Sequence, residues 1–395
     1  MGQTRADMQR ASPRRRPGRS SLVSSVFVIA VLACTPVARA GEPDVAPGTG
    51  RRGPPCTVGG TEAGELVEGT AGDDILCGFG GADRLLGHGG HDTIYGGEGD
   101  DVLKGGSGID QLIGESGTDT YGGGKGELDR AWFTHAPGPV EVRLSEGSAL
   151  GDGALGDPDA VESLRGVEGA VGTPFGDVMT GAAGSNTFAG SGGSDRLRGG
   201  RGLDVANYEF AAGSVRIDLA TGHARGADGR DVLVGIEGIL GSAFDDELLG
   251  DSRHNAIAGL SGDDLMDGRG SLDTLSYAFA PVGVTVDLRL GAAFGEGNDT
   301  LAGFERVSGS PHGDTLVGDD DTDTLYGLGG ADTVEGRGGP DLLATQGGND
   351  ELLGGPGRDD LNGGSGGDDL DGGPNADRCV QAGGTGTIVN CESTP

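Results

Sequence analysis

An aspartate returns every ninth residue along one stretch of this chain: Asp74, Asp83, Asp92, Asp101, Asp110 and Asp119. A second run repeats the device near the other end, at Asp332, Asp341, Asp350, Asp359, Asp368 and Asp377. Each aspartate follows a glycine-rich segment, with Gly69, Gly78, Gly87, Gly96, Gly105 and Gly114 five residues before it and Gly72, Gly81, Gly90, Gly99, Gly108 and Gly117 two before it. Glycine loses the most backbone freedom on ordering and tolerates positive φ, so these segments suit tight turns with exposed carbonyls rather than helix or strand. Carboxylates brought close together repel one another unless a cation lies between them. Carboxylates plus turn carbonyls form an all-oxygen donor set, which suits a large, hard, flexibly coordinated ion: calcium.

The elements that hold these turns follow from the same period. Two residues after each aspartate of the first run stands a bulky side chain: Leu76, Leu85, Ile94, Leu103, Leu112 and Tyr121. The last three places of each nonapeptide have room for a short strand, with its middle residue inward and its neighbours outward. Turn and strand in alternation wind a flattened roll with two repeats per coil. Repeats i and i+2 then stack on one edge about 4.8 Å apart, which sets Asp74 over Asp92 and Asp83 over Asp101. The expected fold class is all-β, a parallel β-roll (β-solenoid) of nonapeptide repeats.

At these residues the sequence resembles the RTX, or haemolysin-type, calcium-binding repeat family, whose pattern is G-G-x-G-x-D-x-apolar-x. The resemblance implies a secreted bacterial protein with several bound Ca2+ ions. Thr70, Phe79, His88 and Glu115 replace the second glycine of the pattern. That place is expected to be the most forgiving of the nine. Each run of six should hold about four stacked pairs, so about eight strong ions are expected.

Between the runs another unit occurs three times with constant internal offsets, at Asp129, Phe133 and Val142-Arg143-Leu144, at Asp204, Tyr208 and Ile217-Asp218-Leu219, and at Asp273, Tyr277 and Val286-Asp287-Leu288. Each closes on an echo, Gly166-Val167-Glu168, Gly235-Ile236-Glu237 or Gly303-Phe304-Glu305. The alternation of Val284, Val286 and Leu288 reads as half-buried strand. These units are three β-strand inserts that widen the same solenoid. The nonapeptides between them are degenerate: Asn186 and Asn255 take sixth place, and fourth-place glycine is lost at Phe175, Phe244, Arg253 and Ser271. Asp195, Asp204, Asp264 and Asp273 are therefore expected to be weaker ligands.

The ends carry other signals. Residues 1–40 read as a signal peptide, with six arginines before the apolar Leu22–Cys34 stretch and a cleavage site at Ala38-Arg39-Ala40. A lipid attachment at Cys34 is the lesser reading. Four cysteines follow, Cys56, Cys77, Cys379 and Cys391; an even count in an exported chain points to two disulfides, and sequence proximity favours Cys56–Cys77 and Cys379–Cys391. The expected organisation is a linker and N-terminal cap over 41–68 and a first calcium-binding roll over 69–122. Inserts with degenerate repeats fill 123–313, a second roll 314–378, and a disulfide-closed cap 379–395.

Composition narrows the function. The 395 residues include 86 glycines, only 4% aromatics and a net charge of −34, which is a poor basis for an ordinary enzyme core. Self-repulsion of this size opposes compaction until counter-ions arrive. Nucleic acid and an anionic membrane are poor partners for such a surface, and neither nucleic-acid binding nor membrane insertion is expected. Repeat or insert accounts for every long segment, so no catalytic residues are assigned and no enzyme is expected. Two rival classes are kept: an adhesive or structural protein of the cell surface or extracellular matrix, meeting a polysaccharide or envelope surface through its insert loops, and a non-catalytic relative of polysaccharide-modifying enzymes that carry such repeats. The expected location is extracellular.

Overall fold

The computed structural model describes residues 56–125, 128–151 and 161–392; the signal-peptide, Cys34 and linker readings up to residue 55 lie outside them. Among the described residues there is no helix, and the strands form two sheets, one of 16 strands and one of 22. Outside the inserts, successive strands alternate between the sheets. Within a sheet they pair in parallel at an offset of two nonapeptides, as in Ile75↔Thr93 and Arg84↔Val102. The eighth-place side chains meet between the sheets: Leu76, Leu85, Ile94, Leu103, Leu112 and Tyr121 are fully buried, and Leu325, Val334, Leu343, Leu352 and Leu361 continue the same column. In the first roll the strands are longer than the three residues expected. Ile75–Gly80 and Arg84–Gly89 run on into the following turn, and the parallel pairing continues through Phe79 and His88 although both stand at positive φ.

The three inserts interrupt only the 22-stranded sheet. In the first, Glu141–Arg143, Ser148–Leu150 and Val161–Arg165 form an antiparallel meander. Val215–Asp218, His223–Gly226 and Gly229–Val234 form the second, and Thr285–Asp287, Ala292–Phe294 and Asn298–Ala302 the third. The first strand of each meander pairs in parallel with the coil ahead, and the last with the coil behind. The chain thus overshoots by one coil and steps back. Each meander puts three strands where a plain repeat would put one, while the 16-stranded sheet passes beside it in unbroken parallel order.

Disulfides join Cys56 to Cys77 and Cys379 to Cys391, at the two ends of the described stack. Trp132 stands on the outer face of the 16-stranded sheet, its indole N–H donating to Gln111 Oε1 at 2.6 Å and its ring 5.3 Å from that of Phe210. It packs between coils.

Candidate metal centre: the carboxylate ladders

Every coil presents two turns, and the sixth-place aspartates of stacked turns form a ladder down each edge. One carboxylate oxygen of each holds the stack together. Asp92 Oδ1 accepts the backbone N–H of Asp74 at 2.9 Å, Asp101 Oδ1 that of Asp83 at 2.7 Å, and Asp110 Oδ1 that of Asp92 at 2.9 Å. The second run repeats this from Asp332 to Asp350, from Asp341 to Asp359 and from Asp359 to Asp377. These side chains are almost wholly buried.

What the second oxygen does divides the turns into two kinds. In the first kind the second-place residue donates its backbone N–H to that oxygen: Thr70 to Asp74, Thr173 to Asp177, Ser242 to Asp246, Ser310 to Asp314 and Asp319 to Asp323. The Thr or Ser hydroxyl adds a second bond, at 2.7–2.9 Å. Asn186 and Asn255 are held in the same way by the amides of Ala182 and Asp251. These carboxylates are closed, and Thr70 holds Asp74 below the usual carboxylate range.

In the second kind the second-place residue swings to positive φ, which turns its N–H away from the aspartate. Phe79, His88, Glu115, Ser191, Leu260, Arg269, Leu328 and Arg337 all do so at 65–74°, joined by Gly97, Gly106, Gly124, Gly200, Gly355, Gly364 and Gly373. The place expected to be forgiving does take many side chains, at a conformational cost. It takes any side chain only if the backbone accepts a left-handed conformation that costs a non-glycine residue about 1–2 kcal/mol. In these open turns Oδ2 of Asp83, Asp92, Asp101, Asp110, Asp129, Asp204, Asp264, Asp273, Asp332, Asp341 and Asp359 is buried with no hydrogen-bond partner, and Asp350 Oδ2 is bare as well although Gln346 before it is not at positive φ.

The orphaned oxygens do not stand alone. A Cβ placed on Gly87 would collide with Asp92 Oδ2 and approach the Gly105 carbonyl oxygen of the next coil at 2.6 Å, so carboxylate and carbonyl converge on one point that only glycine leaves open. Fourth-place Gly99, at φ 124°, would collide with the Gly81 carbonyl in the same manner. Rows of backbone carbonyls thus run beside rows of unsatisfied carboxylates. Among the described residues no three His, Cys, Asp or Glu side chains converge as a metal cluster. A cation between these coils would complete its oxygen shell from the backbone, which is calcium chemistry rather than zinc chemistry. His88 and His91 do not form a rival site: His91 Nδ1 accepts the Ile109 N–H at 2.9 Å, and His88 faces Glu68.

Burial raises the open carboxylates, with neighbouring carboxylates adding to it. Asp92, Asp101 and Asp273 are pushed to about 6, Asp129, Asp204, Asp332 and Asp341 to about 7, and Asp195 and Asp264 to about 8. A buried anion without a counter-charge is expensive, so burial shifts each of these groups toward its protonated form.

The inserts supply ladder members of their own, which sequence reasoning missed. Where a coil is displaced, the N–H of Asp119 finds Glu162, that of Asp195 finds Asp231, and that of Asp264 finds Asp299. On the other edge Asp129, Asp204 and Asp273 donate to Glu168, Glu237 and Glu305, the acids of the three echoes. Asp377 donates to Glu392 at the end of the stack. The constant place of the echo glutamates was the available signal.

A two-sheet roll whose turn edges carry stacked, buried carboxylates beside rows of carbonyls belongs to the metal-stabilised class of β-solenoids. The profile of the RTX calcium-binding nonapeptide repeat (4 copies) matches residues 59–94, 95–127, 171–206, 240–275, 308–343 and 345–379, more than half of the chain, and the chain belongs to that family. The repeat is a structural calcium-binding unit and not a catalytic one. No curated protein matches the chain.

Proposed function

We propose that this is a secreted calcium-binding protein whose roll sets outside the cell when several Ca2+ ions enter between stacked open turns. The observation that carries the reading is the row of buried, partnerless Oδ2 atoms beside turn carbonyls, an all-oxygen donor set that fits a calcium ion. The ligands are the open-turn aspartates: Asp83, Asp92, Asp101 and Asp110 in the first roll, and Asp332, Asp341, Asp350, Asp359 and Asp368 in the second. Asp119 and Asp377 close the two runs. Asp195, Asp204, Asp264 and Asp273 serve as weaker sites between the inserts. Asp74, whose Oδ2 is already taken by Thr70, acts as a stacking cap.

On this reading two strong calcium-binding segments, 69–122 and 314–378, flank a central block of inserts with weaker repeats. Export through the signal at 1–40 would carry a loose, strongly self-repelling chain into a calcium-rich medium. Extracellular calcium modules bind at about 10⁻⁴–10⁻³ M, so folding would follow export. A calcium titration followed by far-ultraviolet circular dichroism and native mass spectrometry tests this. A coil-to-β transition in that concentration range, with several ions bound and magnesium ineffective, is the expected result. A spectrum in chelator at neutral pH identical to that in calcium would sink it.

A further inference from the structure

We propose that the second insert carries an anion-binding pocket for a small ligand bearing carboxylate or sulfate groups. The pocket is an open cleft of about 510 Å³ on the solvent face of the 22-stranded sheet, lined by Arg216, Arg225 and Arg230 and, on its other side, by Asp245, Asp246 and Glu247. Its size falls within the range of small-molecule sites.

Register assembles the cleft. Arg216 lies directly opposite Arg225, and Arg225 directly opposite Arg230, across three adjacent antiparallel strands. Alternation buries Val215, Ile217, Ala224 and Asp231, so all three guanidinium groups leave by the same face. Like charges directly opposite one another destabilise a sheet. One is compensated: Arg216 pairs with Glu247 of the coil ahead. The side chains of Arg225 and Arg230 have no hydrogen bond or ion pair among the described residues. Of the acids in the lining, Glu247 is paired with Arg216, Asp246 is buried and takes the amides of Val215 and Ser242, and Asp245 Oδ1 accepts the Asp263 N–H at 2.9 Å, so none of them pairs with Arg225 or Arg230.

The other two inserts provide an internal control. Val140, Val215 and Val284 each donate to the ladder aspartate of the coil ahead, which fixes the correspondence between the three units. At the places of Arg216, Arg225 and Arg230 the first insert has Glu141, Leu150 and Val161, and the third has Thr285, Phe294 and Asn298. The meander therefore forms without arginine at any of them, and the row in the second insert is not a requirement of the fold. Arginine presents a planar fork of donors that grips oxyanions in pairs. In a chain of net charge −34, a long polyanion would meet acidic surface beyond the row, whereas a short ligand would not.

The test is a titration of the whole protein in millimolar calcium at fixed ionic strength, with chloride as reference. The probes are sulfate, succinate and a galacturonate disaccharide, followed by calorimetry and by the arginine side-chain resonances. Saturable one-to-one binding is expected for at least one probe, and the order among the three separates sulfate from carboxylate chemistry. The double variant R225Q/R230N should weaken it by about tenfold or more, and R143Q in the first insert should leave it unchanged. The single variant R230N, which installs the third insert's residue, guards against a folding failure, and an unaltered calcium-dependent melting curve separates this result from the calcium reading. No saturable binding of any probe, or equal affinity in the double variant, overturns the proposal. So does tighter binding of polygalacturonate or DNA than of the disaccharide.

Discussion

Whether a ladder aspartate is free to take a cation is decided four residues before it. A Thr or Ser there with a negative φ turns amide and hydroxyl onto the carboxylate and closes it, as Thr173 does to Asp177. A residue at positive φ leaves Oδ2 bare, as Gly97 does for Asp101. This separates two variants that look alike in the sequence. Asp101→Asn should lose bound calcium and raise the calcium midpoint, whereas Asp177→Asn should keep the wild-type ion count. Thr173→Val, in saturating calcium, should cost about 1–2 kcal/mol of stability with the ion count again intact. Native mass spectrometry and thermal melts read all three, and equal ion loss from the two Asn variants would refute the division. The aspartates themselves were legible from their period, but the state of each was not, because it depends on a backbone angle. The co-occurrence of Thr, Ser or Asp in second place with a lost fourth-place glycine, as at Ser242 and Phe244, is the trace it leaves in the sequence.

At the scale of the elements, the stacked turns behave as one titrating array. Open-ladder carboxylates have raised pKa values, from about 6 at Asp92 to about 8 at Asp264, because burial favours the neutral form. Their unfolded counterparts titrate near 3.9. The calcium-free roll binds protons more tightly than the unfolded chain, so proton-linked stability is fully present below about pH 4 and is lost as pH rises through 6 to 8. In chelator, the β signal and melting temperature should therefore fall between about pH 5 and 8. Calcium requires the ionised carboxylate, so its affinity should fall as pH drops through the same window. A chelated protein that gains stability toward pH 8 would contradict the buried, unpaired state of these groups. The inserts avoid the difficulty in part: Tyr208 donates to Asp231 at 2.8 Å and Tyr277 to Asp299 at 2.7 Å, so the ladder acids contributed by the second and third meanders have a neutral partner. The expectation of strands widening the solenoid was legible from Val284, Val286 and Leu288. The antiparallel return was not, since alternation gives a strand's faces and not its direction.

Over the whole molecule, the sheets are unequal. The inserts give one sheet six strands more than the other, two for each insert. At about 4.8 Å per strand, that is roughly 30 Å of additional length on one side. Two sheets sharing one core accommodate such a difference by bending, with the 16-stranded sheet on the inside. Small-angle scattering of the calcium-loaded protein should therefore fit a curved rod, and a straight-rod profile would show that the inserts splay outward instead. The bend belongs to the central block, where all three inserts lie, and the two strong rolls should be straight arms on either side of it.

The period of nine by itself determined the two-repeat coil, the inward column from Leu76 to Tyr121 and the two aspartate runs, because in a solenoid each residue's neighbours are fixed by a constant sequence offset. Proximity along the chain likewise pointed to the cysteine pairs that the structure joins. Only the tertiary structure decided which carboxylates are closed by their own turn, and that Glu168, Glu237 and Glu305 carry the ladder past the inserts. It also brought Arg216, Arg225 and Arg230 into one row. Each of these rests on a backbone angle or on pairing across an irregular offset, and neither is carried by a period.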